Sequence, residues 1–290
     1  MQVTVHAPAK INLTLDIVGV RADGYHLLES VFQSVSVYDT VTAERADKGV
    51  ITLDVLGQPC TCPVEKNTAY KAAKVFFEQT GIEGGVHLTL TKRIPQQAGM
   101  GGGSADAAGV LWALNALYET DLTAEQLCAM GLSIGADVPF CVMGGTAFVT
   151  GIGEGLQPLP PLPDCSIVVA QPQEGISTKE AYAAVDTAAI AHRPDNAAAI
   201  AALQAGDLEG VCRQAVNVFE VATELEGVKD IRRRMETFSP LCSQMTGSGS
   251  CVFAIFEDEE TATACVEALK KDYPTAFVCH PCEGCVVEKE

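Results

Sequence analysis

Residues 95–115 read PQQAGMGGGSADAAGVLWALN: four glycines within five positions, a serine and an aspartate, then an apolar run. The preceding GVHLTLTKRIP alternates apolar and polar residues as a strand does, and runs straight into the glycines. Beyond them Val110, Leu111, Leu114, Leu117 and Tyr118 recur at i, i+3, i+4 and i+7, one stripe of a helix. Strand, glycine loop and helix in succession form an anion-binding device. The glycines let backbone approach a ligand closely, and the helix N-terminus offers unpaired N–H groups and a positive dipole end. Two familiar templates fail. No Lys-Ser or Lys-Thr pair follows Gly103, and Ser104 stands where a dinucleotide fingerprint needs its third glycine. Ser104 is expected to cap the helix, with Asp106 in its first turn; a plain flexible turn is the alternative.

The elements around this loop are mixed. VTVHAPAKINLTLDIVG alternates strictly from Lys10 to Ile17 and reads as one half-buried strand, followed by a turn at RADGYH. SVFQSVSVYDTVTAE and GVITLDVLG are further strands, and strands in succession without helices imply antiparallel pairing. Asn67 suits the N-cap of a helix through TAYKAAKVFFEQT that stops at Gly81. After a helix in TAEQLCAMGLSIG and a strand in TAFVTG, the proline-rich PLPPLPD (158–164) marks a boundary. The chain is therefore expected to be α+β, with domains at 1–157 and 158–290. The second holds a strand at CSIVVAQP, alanine-rich helix over 179–206, a strand at CVFAIF, a helix through TATACVEALKKDY and a short strand near AFVCH.

Composition narrows the partners. With 19 basic against 37 acidic residues the formal charge is −18, which disfavours nucleic acid and anionic membrane as partners. An anion can still be held, through local backbone donors and single placed lysines. The sequence shows neither an export signal nor a membrane-spanning apolar run, so a cytoplasmic location is expected. Twelve cysteines scattered mostly in apolar contexts read as reduced, buried thiols. The exception is VCHPCEGC, where Cys279, Cys282 and Cys285 have a metal-compatible spacing. It lacks a fourth ligand unless His280, or distant Cys60 and Cys62, supply one, and no metal site is expected there.

Three further features carry chemistry. Lys10 interrupts an apolar strand beside Asn12; it is either solvated on an open sheet face or a cation aimed at a negatively charged reactant. Asp137, in GADVPFCVMGG, is either a carboxylate against an apolar wall that can accept a hydroxyl proton, or an aspartate terminating a helix. MTGSGSCVFAIF (245–256) is a second Gly/Ser loop opening onto a strand, suited to close backbone approach from the other half.

Taken together, APAKINLTLDIVGVRADGYHLLESVFQSV, KRIPQQAGMGGGSADAA, GADVPFCVMGGTAFVTGIGE, VNVFE and MTGSGSCVFAIF resemble the GHMP small-molecule kinase superfamily, in order and over nearly the whole chain. The opening PAKINL with the following RADGYH resembles a branch of the non-mevalonate isoprenoid pathway, whose alcohol substrate carries cytidine diphosphate. The glycine-rich opening ending in Gly-Glu-His of galactokinases and mevalonate kinases is absent. This resemblance implies a two-domain fold with the active site in the cleft between the halves, ATP with Mg²⁺ as cofactors, and phosphoryl transfer to a hydroxyl. It implies Lys10 and Asp137 as the catalytic pair. Asn67, Pro95, Gly99, Gly101, Gly102, Gly103, Ser104 and Ala105 fall on its ATP-binding positions, with Ser104 the nearest guess for a metal ligand. Asn12, Tyr25, His26, Thr178 and Tyr182 fall on its substrate positions, the last four toward the cytosine. Gln96, Gln97 and Met100 depart from its usual loop residues. Another GHMP kinase, such as a homoserine kinase, and a non-catalytic nucleotide- or metal-binding protein are the competing readings.

Overall fold

The alternation around Lys10 becomes the centre of a large sheet in the computed structural model, which describes residues 2–59 and 62–289. In chain order the first half contains β1 (Gln2–Asn12), β2 (Asp16–Val20), β3 (His26–Ala46), β4 (Ile51–Leu56), α1 (Thr68–Thr80), β5 (Gly85–Thr91), α2 (Gly102–Leu117), α3 (Ala124–Leu132), α4 (Val138–Met143), β6 (Thr146–Gly151) and β7 (Gly155–Pro158). The second contains β8 (Ser166–Ala170), α5 (Thr178–Val185), α6 (Asn196–Ala205), α7 (Leu208–Arg213), α8 (Glu226–Glu236), β9 (Cys242–Met245), β10 (Val252–Phe256), α9 (Glu259–Leu269), β11 (Ala276–Cys279) and β12 (Val286–Lys289). The fold is α+β. Among the described residues, no helix is long and apolar enough to cross a membrane.

The first sheet runs β12-β1-β3-β5-β4, with β2 and β6 also on β3 and β7 on β6. At 21 residues β3 is long enough to pair β2 and β6 near its start and β1 and β5 toward its end. Pairing is antiparallel except between β4 and β5, which run parallel because α1 intervenes as a crossover. Helix α1 forms where expected: the Asn67 side chain accepts from the Ala69 amide, and Gly81 ends it at φ 69°. Helix α2 lies on β1 and β3. It sits close because Gly109 carries no side chain: a Cβ there would stand 2.9 Å from Val41 Cγ2 and 3.2 Å from Ala7. The second sheet, β11-β8-β10-β9, is antiparallel throughout.

The structure corrects several expectations. Lys10 to Ile17 is not one half-buried strand: β1 ends at Asn12, β2 starts at Asp16, and both faces are buried. The polar residues Asn12, Thr14 and Asp16 are covered by the second half of the chain, and Lys10 by its own half. The Asn12 amide donates to Thr246 Oγ1 (3.0 Å), and Gln244 Nε2 donates to the Asn12 and Leu13 carbonyls at 3.0 and 2.8 Å. Thr14 Oγ1 donates to Asn196 Oδ1 at 2.6 Å and accepts from the Val31 amide at 2.9 Å. Asp16 accepts from Arg193.

The alanine-rich stretch 179–206 splits into α5, which ends at Val185, and α6, before which Pro194 disfavours the helical region at Arg193 and Asp195 caps on the Ala198 amide. The proline-rich 158–164 is anchored, with Leu162 buried and its amide donating to Thr146 Oγ1 at 3.2 Å. Finally, β12 pairs antiparallel with β1, Val3 opposite Lys289, so a cut at 158 divides the sequence more cleanly than the sheets.

Thr14→Val keeps the volume at a buried site while leaving the Val31 amide and the Asn196 carbonyl without their partner. Its urea midpoint should fall by the equivalent of about 1–3 kcal/mol, with an unchanged m-value.

Candidate active site

Strand β1, the glycine loop, the start of α4 and the Gly247–Gly249 turn converge on a cleft of about 1470 Å³ between the halves. The loop's glycines serve two purposes. Gly99 (φ 73°) and Gly101 (φ 71°) lie in the left-handed region, and both are pressed against protein. A Cβ on Gly99 would meet the Thr246 carbonyl oxygen at 2.1 Å, and one on Gly101 would meet Lys10 Cγ at 3.0 Å. Gly102 and Gly103 instead form the first turn of α2, with Gly101 as N-cap and no side-chain capping bond. Ser104 therefore does not cap the helix; it lies inside it, two residues past the start, and Asp106 falls beyond the first turn.

The Ser104 and Ala105 amides donate back to the Gly101 carbonyl at 2.9 and 2.8 Å. The amides of Gly101, Gly102 and Gly103 have no partner among the described residues and are left to the cleft. Pro95 and Ser104 line the cleft, as does Asn67 at the start of α1, whereas Ala105 is wholly buried and does not. Of the unusual loop residues, Gln96 offers its carbonyl to Gln171 Nε2 at 2.8 Å, tying the loop to the second half. Gln97 takes φ 53°, and Met100 is buried.

Lys10 is 4 % exposed. Its Nζ donates to Asn12 Oδ1 at 2.8 Å, stands 3.4 Å from Asp137 Oδ2, and lies 4.6 Å from the centre of the Phe32 ring. Its amide donates to the Met100 carbonyl at 3.0 Å, so the lysine and the glycine loop are held to one another. Asp137 occupies the N-cap position of α4 without making a capping bond, which leaves its carboxylate for Lys10 and the cleft.

Across the cleft, Tyr25 is 60 % exposed on the rim. The His26 ring lies 4.5 Å from that of Tyr182, which meets Phe219 edge-on at 4.9 Å. Burial, then the Asp137 charge, push the Tyr182 phenol up to about 12, so it keeps its proton. Thr178 Oγ1 is 3.3 Å from Ser248 Oγ in the second loop. That loop is fixed by Asn217, whose Nδ2 donates to the Met245 and Gly247 carbonyls at 2.8 Å each.

Sequence reasoning missed a buried charge cluster beneath the loop. Lys92 Nζ donates to Asp106 Oδ2 at 2.7 Å and also to Asp39, whose other oxygen accepts the Ile94 amide at 2.9 Å. Burial opposes the Lys92 charge, but Asp106 and Asp39 outweigh it and hold the ammonium above its ordinary value. Burial pushes the Asp106 carboxyl above the usual carboxylate range, the Lys92 charge offsetting only part. Asp106 Oδ1 is buried with no hydrogen-bond partner among the described residues. The sequence does carry a signal for Lys92: it continues the inward series Val86, Leu88, Leu90, where a charge must be paired. Asp186, which also lines the cleft, had no such signal, whereas Phe219 lies within the VNVFE stretch.

The cysteine-rich tail packs against the core. Cys279 is buried in β11, and Cys285 Sγ donates to the Cys141 carbonyl at 3.6 Å. Burial, only partly offset by the hydrogen bond with Tyr38, leaves the Cys282 thiol raised to about 11. No group of three or more His, Cys, Asp or Glu among the described residues could hold a metal ion; Cys60 lies outside them.

Lys92→Met leaves Asp39 and Asp106 without their shared cation. It should cost about 3–5 kcal/mol in chemical denaturation, whereas Asp106→Asn, which keeps a neutral acceptor for Lys92, should cost clearly less.

Residues 67–145 match the family described as GHMP kinases N terminal domain, and residues 199–275 match GHMP kinases C terminal. A protein of Clostridium tetani (strain Massachusetts / E88) named 4-diphosphocytidyl-2-C-methyl-D-erythritol kinase is 40% identical over 94% of this chain and 98% of its own. One of the same name from Clostridium botulinum (strain Alaska E43 / Type E3) is 37% identical over 94% and 98%. A crystal structure of 4-(cytidine 5'-diphospho)-2C-methyl-D-erythritol kinase superposes with a TM-score of 0.82 at 35% identity, covering 97% of this chain and all of that one. With both domain matches in place and relatives of one name aligned over nearly its whole length, the chain belongs to the GHMP kinases, in the 4-diphosphocytidyl-2-C-methyl-D-erythritol kinase family.

Proposed function

We propose that this kinase transfers the γ-phosphoryl group of ATP to a hydroxyl of 4-diphosphocytidyl-2-C-methyl-D-erythritol, in isoprenoid precursor biosynthesis. The observation that carries the reading is the buried Lys10 Nζ, 3.4 Å from a cleft-facing Asp137 carboxylate and bound through its own amide to the glycine loop. Phosphoryl transfer asks for positioning and charge neutralisation more than covalent chemistry, and the cleft supplies both.

In this reading the free amides of Gly101 to Gly103 and the α2 dipole take the nucleotide phosphates, with Pro95, Gly99, Ser104 and Ala105 shaping the loop and Asn67 beside the adenine. Asp137 receives the proton of the attacking hydroxyl, and Lys10 places a positive charge between donor and acceptor oxygens. Asn12 orients Lys10 from the substrate side. Tyr25, His26, Thr178 and Tyr182 hold the cytosine, an aromatic pair being suited to a base. Residues 1–157 then form the ATP-binding part and 158–290 the part that closes over the substrate.

A magnesium ion bound with the nucleotide would supply further neutralisation of phosphate charge. The orphaned Asp106 Oδ1 and the Ser104 hydroxyl are oxygen donors that suit such an ion.

ATP consumption should depend on 4-diphosphocytidyl-2-C-methyl-D-erythritol, with amino-acid alcohols such as homoserine inert. Consumption driven equally by homoserine would refute the assignment. Asp137→Asn should lower kcat about 10²–10⁴-fold while nucleotide and substrate binding persist by calorimetry. A variant keeping most of its turnover removes Asp137 as the base.

A further inference from the structure

Ser30 is a polar residue at an apolar position. It lies between Leu28 and Phe32 on one face of β3 and is wholly buried. Leu28 and Phe32 line the cleft, but Ser30 does not. Its hydroxyl is engaged on both sides: it donates to the Thr14 carbonyl and accepts from Asn12 Nδ2 at 2.9 Å.

A serine hydroxyl has a single hydrogen to give, and a carbonyl can only accept. With that hydrogen committed to Thr14, Ser30 Oγ is left as an acceptor, so the half of the Asn12 amide facing it must be the NH₂. The other half, Oδ1, then faces the Lys10 ammonium at 2.8 Å and the Thr246 hydroxyl at 3.4 Å. The direction of donation set at a main-chain carbonyl thus runs in series through Ser30 and Asn12 to Lys10, which ends 3.4 Å from Asp137 Oδ2. Without the hydroxyl, Asn12 Nδ2 has no other hydrogen-bond partner among the described residues. A buried amide left in that state is driven to other rotamers. Lys10 would then lose the oxygen that holds it and keep Asp137 and the Phe32 ring.

We propose that Ser30 is a positioning residue for phosphoryl transfer: it fixes the Asn12 amide so that Oδ1 holds the Lys10 ammonium in place beside Asp137. This rests on the reading that Asn12 orients Lys10 and that Lys10 neutralises charge in the transition state. Ser30 acts through Asn12 and not on the reactants.

The test is a double-variant cycle in ATP turnover, on the full chain with 4-diphosphocytidyl-2-C-methyl-D-erythritol as acceptor. Ser30→Ala should lower kcat about tenfold and leave both KM values within about twofold, the pattern of an interaction that matters only in the transition state. Ser30→Thr keeps the hydroxyl and should retain turnover within about threefold. Should Ser30→Ala not fold, Ser30→Cys takes its place, being close in size and a weak donor and acceptor, with a several-fold loss in kcat expected. Asn12→Ala should lose at least as much as Ser30→Ala, and adding Ser30→Ala to it should change kcat by less than about twofold. Losses that multiply in the double variant overturn the proposal, because a serine that only supports the fold would act independently of Asn12. So does an unchanged kcat in Ser30→Ala when Asn12→Ala is impaired. If Asn12→Ala keeps its turnover while Lys10→Met loses it, the orienting role of Asn12 falls and the proposal with it. If Lys10→Met also keeps its turnover, the reading of the site itself fails.

Discussion

A row of polar side chains on a core strand must be hydrogen-bonded to completion, and here that requirement joins the two halves. Lys10, Asn12, Thr14 and Asp16 are all buried along the run from β1 into β2. Their partners are Asp137, Thr246, Asn196 and Arg193, three of them more than 170 positions away in the chain. Each unmade bond would carry a desolvation penalty, so the halves have little freedom in how they seat. The cleft is the space left over once these bonds are made. Lys10 and Asn12 line its floor, and Asn12 also bonds to Thr246 and Gln244 of the second half.

The same economy appears in the glycine loop. Gly99 lies against the Thr246 carbonyl and Gly101 against the Lys10 side chain, while the next two residues keep their amides for a ligand. A formal charge of −18 does not preclude a polyanion in the cleft, since an oriented helix end and one lysine in a setting of low dielectric make a locally favourable field. Lys92 is not available for this role. Its charge is consumed by Asp39 and Asp106, and it serves to hold the strand end from which the loop springs.

Much of this was legible in the sequence, and what was not has physical reasons. Period and caps located α1, α2, β5 and the glycine loop, since each depends on its own neighbours. The burial of Thr14 and Asp16 was hidden, because alternation reports two faces and cannot say that a distant segment covers the polar one. Lys92 and Asp39 were readable in principle, as charges at inward positions of strands, but only the fold shows that one answers the other. Asp186 comes to the cleft through tertiary packing alone, and no local pattern announces it. β9 and β12, at four residues each, are too short to show a period.

The sulphur of this chain has a consequence of its own. The thiols of Cys128, Cys165 and Cys265 are raised chiefly by burial to between about 11 and about 12, and burial likewise raises Cys141, Cys251 and Cys279. The thiolate is the species that oxidants and alkylating agents attack, and burial disfavours it. For the buried Cys141, Cys165, Cys251, Cys265 and Cys279, modification requires transient opening, so its rate follows the free energy of opening at each site and reads out local stability. A sequence with twelve cysteines thus carries a built-in record of how often its core is breached.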